Sequence, residues 1–140
     1  MRISIKNILL KIIPEFLIKR RSQSIIISNW KKNNYPSPPP HIIKQLTIVE
    51  YQKKFGIQVL IETGTYLGDM VEAQKARFKK IVSIELGVDL YEKATQRFKN
   101  DANVLIVQGD SGKVLSTVVK DIDAPAIFWL DGHYSAGLTA

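Results

Sequence analysis

Four short apolar runs, each ending in or soon followed by an acid, set the tightest limit on how this chain can fold. IQVLIE (57–62), IVSIE (81–85), NVLIVQ (103–108) and PAIFWLD (125–131) are too short for buried helices. They are rich in β-branched residues and read as strands. Between them lie stretches with apolar residues at helical spacing. Residues 66–80 predict a helix with Leu67, Met70, Val71 and Phe78 inward, although Gln74 interrupts the stripe. Residues 89–100 predict another through Leu90, Ala94 and Phe98, and 111–122 a third with Ser111 as its cap. A further helix precedes the first strand, with Ile42, Leu46 and Val49 inward and Gly56 as its stop. Such alternation means right-handed βαβ units and a parallel sheet covered on both faces.

Ligands of such sheets sit at the C-terminal ends of the strands. Glu62 and Glu85 end the first and second runs, Asp110 follows the third, and Asp131 ends the fourth. In VLIETGTYLG (59–68) the first strand leads into Glu62, Gly64, Thr65 and Gly68. Gly64 permits a tight turn, and Gly68 permits close approach of the helix to the sheet or to a ligand. Backbone N–H groups of such a turn can receive polar groups. Glu85 lies 21 positions after Gly64, the spacing at which dinucleotide folds place an acid to hold ribose hydroxyls. The turn nonetheless lacks the G-x-G-x-x-G pattern, and Glu62 beside it would repel a pyrophosphate. An acidic rim suits a cofactor that carries an amino group, a sulfonium, a ribose and an adenine.

Charge is unevenly placed. Residues 1–32 hold eight Lys/Arg against Glu15 alone, whereas residues 33–140 hold twelve Lys/Arg and twelve acids. The basic balance therefore belongs to the N-terminal segment, and no nucleic-acid partner is expected. That segment places Ile5, Ile8, Leu9, Ile12, Ile13 and Phe16 on one helical face, with Pro14 set to kink or restart the helix. Its charges interrupt the apolar run well short of a membrane span. Two readings stay open: an interfacial helix on an anionic membrane surface, or an appendage packed on its own domain or on a second subunit. NNYPSPPPH (33–41) reads as an extended, semi-rigid linker, which gives segments 1–32, 33–41 and 42–140. The chain has no cysteine, which excludes disulfides and thiolate chemistry and fits the cytoplasm.

Residues 58–140 resemble a class I S-adenosylmethionine-dependent methyltransferase. IETGTYLG is similar to that family's first motif, SIEL to its ribose-binding acid, QGDSGKVL to its adenine-side loop. FWLDGHYSAGLTA is similar to the fourth-strand motif of a bacterial subgroup found among sugar and natural-product methyltransferases. The resemblance implies a Rossmann-like, doubly wound sheet of strand order 3-2-1-4 and S-adenosylmethionine as cofactor. Glu62, Gly64, Thr65 and Gly68 would border its methionine part, Glu85 would bind the ribose, and Asp110 with Ser111 would lie by the adenine.

Methyl transfer to a hydroxyl also needs a base. His133, two residues beyond Asp131, could accept that proton near neutral pH. Asp131 would orient His133 or bind a divalent cation such as Mg²⁺, but one Asp and one His do not make a metal site, so no metal residue is assigned. The expected partner is a sugar or natural-product hydroxyl. Alternatives are a nicotinamide- or nucleotide-binding enzyme of the same fold, or a non-catalytic module acting through the basic helix. A complete domain of the family has three more strands after the fourth. The chain is therefore expected to be a fragment, a shortened reading frame, or a sheet completed by a partner chain.

Overall fold

The structure is a computed structural model that describes residues 15–131. Its elements run α1 (Glu15–Lys32), α2 (His41–Phe55), β1 (Val59–Thr63), α3 (Asp69–Gln74), β2 (Lys80–Glu85), α4 (Val88–Arg97), β3 (Val104–Gln108), α5 (Ser111–Lys120) and β4 (Ala126–Leu130). The chain divides into two compact units, Met1–Leu46 and Thr47–Ala140, so the division falls inside α2.

In the first unit, α1 exposes Leu17, Ile25 and Ile26 among its cations. The proline-rich stretch is not simply extended. The Trp30 indole N–H donates to the Pro36 carbonyl at 2.9 Å, and Tyr35 stands edge-on to Trp30 at 4.9 Å between ring centroids. The chain thus folds back on the end of α1, turning through Asn34 and Tyr35 at positive φ. Of the N-terminal apolar face, residues 1–14 and the Phe16 side chain lie outside the described residues. No helix among the described residues is long and apolar enough to cross a membrane.

In the second unit, four parallel strands form one sheet in the order β3-β2-β1-β4. The parallel pairing is what the alternation implies, and the order is the Rossmann-like one that the resemblance implies. β1 lies in the middle and is buried along its whole length. The main core lies on one face of the sheet. Leu60, Ile81 and Ile106 pack there against Ile48 of α2, Met70 and Val71 of α3, Phe78, Ala94 of α4, and Phe98, which caps the C-terminus of α4. Each fully buried Leu or Ile of this kind contributes about 1.5–3 kcal/mol. On the outer strands, Leu105, Phe128 and Leu130 are exposed.

Several local expectations need correction. In α2 the buried residue is Ile48, and Leu46 is exposed. The helix expected over 66–80 shrinks to Asp69–Gln74, and Leu67 is exposed in the loop before it. Gln74, which breaks the apolar stripe, is fully buried. The cap of α5 is Asp110, whose Oδ1 accepts from the Gly112 N–H at 2.9 Å, and Ser111 is the first helical residue. An aspartate one position earlier reaches the free N–H groups of the first turn better than the serine does.

Candidate functional site

β1 ends at the point where the strand order reverses, with β2 on one side and β4 on the other. A crevice outside the strand ends is expected there. The register sets Glu62 level with Ser83 on β2 and with Trp129 on β4. These residues share the face that carries the core, because side chains alternate along a strand. Glu62, Ser83 and Thr65 are all nearly inaccessible to solvent. Ser83 Oγ donates to Glu62 Oε2 at 2.5 Å, and Thr65 Oγ1 lies 2.7 Å from Ser83 Oγ. A buried hydrogen-bond chain therefore runs from the turn across β2 to β1.

Burial pushes the Glu62 carboxyl up to about 8, and the nearby Asp131 and Glu85 charges push the same way. The Ser83 hydrogen bond works against them but does not prevail. Loss of water outweighs one neutral donor, as expected for a carboxyl with no cation beside it. Among the described residues, the charged groups that act on Glu62 are both acids.

The turn after β1 is a five-residue loop, not the start of a helix. Gly64, Tyr66 and Gly68 all have positive φ, at 85°, 50° and 81°. The Gly64 and Thr65 N–H groups donate back to the Ile84 carbonyl on β2. Gly68 is close to the end of another helix: a Cβ there would come within 2.6 Å of the ring of Phe98, the C-cap of α4. Its smallness therefore serves helix packing. Arg97 closes the loop from outside, donating to the Leu67 carbonyl and pairing with Asp69 at 2.9 Å.

Glu85 is 1% exposed, and both its oxygens are engaged. Oε2 accepts from the Tyr66 N–H at 2.7 Å and Oε1 from the Gly87 N–H at 2.9 Å. It ties the Gly64 loop to the turn after β2. A carboxylate has about four acceptor positions, so each oxygen keeps one for a ligand hydroxyl. Asp110 stands at the end of β3, half exposed, with one oxygen committed to the cap. Asp131 follows β4 directly, and His133 lies outside the described residues. Among the described residues there is no group of three acids and histidines that could hold a metal ion. The indole Nε1 of Trp129, the residue level with Glu62 on β4, is buried and has no hydrogen-bond partner among the described residues.

Two contributors escaped the sequence reading. Ser83 left one signal, a lone hydroxyl inside the apolar run IVSIE. Arg97 left none, because its partners lie 28 and 30 residues away.

The fold is that of S-adenosylmethionine-dependent O-methyltransferases of known structure. The O-methyltransferase TomG of Streptomyces achromogenes, involved in tomaymycin synthesis and solved with SAM, superposes with a TM-score of 0.57 at 16% identity. The match covers 79% of this chain and 52% of that one. The O-methyltransferase of Bacillus cereus, solved with SAH, superposes with a TM-score of 0.53 at 12% identity, covering 79% of this chain and 55% of that one. The chain thus spans about half the length of the structures it matches. No protein-family model and no curated protein matches the sequence.

Proposed function

We propose that this chain carries the cofactor half of a methyltransferase that uses S-adenosylmethionine to methylate a hydroxyl of a sugar or other small molecule, in the cytoplasm. The observation that carries the reading is the convergence of Glu62, Glu85 and Asp131 on the strand ends around the β1–β4 switch point, beside a loop with three positive-φ residues. Glu85 keeps acceptor capacity for a ribose diol, and the orphaned Trp129 N–H suits an acceptor brought by a ligand. An acidic end to β1, with no cation acting on Glu62 among the described residues, favours a cationic ligand over a pyrophosphate. The donor set therefore fits this cofactor.

Bound S-adenosylmethionine supplies an electrophilic methyl group on a sulfonium. This chain's residues bind and orient it: Glu85 at the ribose, Glu62 and the Gly64–Gly68 loop at the methionine part, and Asp110 with Ser111 at the adenine side. Alignment with an acceptor oxygen and exclusion of water would lower the barrier to methyl transfer. His133 is the proposed base, and Asp131 orients it. Metal assistance has no support among the described residues and forms no part of the proposal.

Calorimetric titration with S-adenosylmethionine tests the reading. Glu85→Ala, checked for a cooperative melt, is expected to lose at least about tenfold in affinity, since a buried charge-assisted bond is worth about 1.5–3 kcal/mol. Equal affinity would remove Glu85 from the cofactor site. No binding by the parent chain would overturn the reading itself.

A further inference from the structure

Glu62 ends the central strand with its carboxyl buried, one hydroxyl donor on it, and two other carboxylates acting on it. Ionising it in that setting is costly, because no positive group among the described residues compensates the lost hydration. The groups around it are Ser83 and Glu85 from β2, Asp131 just past β4, Trp129 level with it on β4, and Thr65 through Ser83. The Ser83–Thr65 chain suits both charge states of the acid. Hydroxyls both donate and accept, so Ser83 can donate to a carboxylate or accept from a carboxylic acid while Thr65 adjusts.

We propose that Glu62 is uncharged while its site holds no ligand and releases its proton to solvent when a cationic cofactor settles at the strand ends, so that binding is proton-linked. This rests on the methyltransferase reading above and adds a mechanism for charge selection. A neutral acid repels nothing on approach and becomes the counter-ion only when positive charge arrives. The acid's raised proton affinity, to about 8, places the exchange in the neutral range. The proton balance is simple: neutral carboxyl plus cation gives carboxylate plus bound cation plus one proton to buffer.

Calorimetric titration of the full chain with S-adenosylmethionine, repeated in buffers of different ionisation enthalpy, counts that proton. The ligand's own amine also titrates near neutrality, so the count is read as wild type minus Glu62→Gln. The expected difference is about 0.9 proton at pH 7, falling to about 0.5 at pH 8, with an affinity that rises with pH up to about 8 and then levels. Ser83→Ala removes the bond that favours the ionised form and should move this whole profile to higher pH; it also serves if Glu62→Gln does not fold. Binding heat without a proton difference, or with no displacement in Ser83→Ala, overturns the proposal and leaves the methyltransferase reading standing. No binding heat in any buffer overturns both, and the two failures are told apart by that heat alone.

Discussion

At the scale of single residues, Glu62 concentrates the tension in this molecule. Burial pushes its carboxyl up from the ordinary value of about 4.5 to about 8 in the native protein. Between those values the native state holds the extra proton, so stability falls as pH rises from about 4.5 to about 8 and is flat on either side. The total loss is on the order of 5 kcal/mol. Glu62→Gln keeps the shape and removes the titration. It should match wild type at pH 4.5 and exceed it progressively toward pH 8 in urea unfolding. An unchanged pH slope in the variant would show that Glu62 ionises freely in the native protein. Glu85 is the counterpoint: two backbone N–H groups donate to its carboxyl oxygens, whereas Glu62 has the Ser83 hydroxyl. Both acids look alike in the sequence, each at the end of an apolar run. Only the partners brought by the β1–β2 register and the Gly64 loop distinguish them.

Among the elements, the strands were legible because short β-branched runs bounded by turn residues have few alternatives. All four strands lie within two residues of where the pattern put them. The first crossover was not legible. Residues 66–80 carry helical spacing, yet only six form α3. The loop before it is held by tertiary bonds, from Gly64 and Thr65 to β2 and from Arg97 to Leu67, which local pattern does not encode. The segment after it is held by Asn103, whose amide donates to the Lys75 and Phe78 carbonyls at 2.8 Å each. Gly68 is where loop and helix packing meet. Gly68→Ala adds a Cβ into the Phe98 ring at a φ of 81°, so it combines overpacking with backbone strain. It should destabilise the protein by at least about 2 kcal/mol in urea unfolding. A loss below about 0.5 kcal/mol would mean that α4 and the loop do not approach this closely.

For the molecule as a whole, strand order decides where chemistry can occur. Reversal between β1 and β4 opens the sheet at the edge where Glu62 and Asp131 stand, and the βαβ rule brings Glu85 and Asp110 to the same edge. The sequence shows four acids at four strand ends, but not the buried Ser83–Thr65 chain that serves one of them. The likeness to methyltransferases of known structure is one of fold, over half their length, and the acceptor stays a matter for the site. The central claim is that these strand ends bind S-adenosylmethionine. The most direct measurement is the thermal melt of the purified chain with S-adenosylmethionine, S-adenosylhomocysteine, NAD or no ligand. A ligand at about 100 times its Kd stabilises the native state by about 2.7 kcal/mol, which raises Tm by several degrees. The account predicts that rise with the first two ligands and none with NAD; a rise with NAD alone would contradict it.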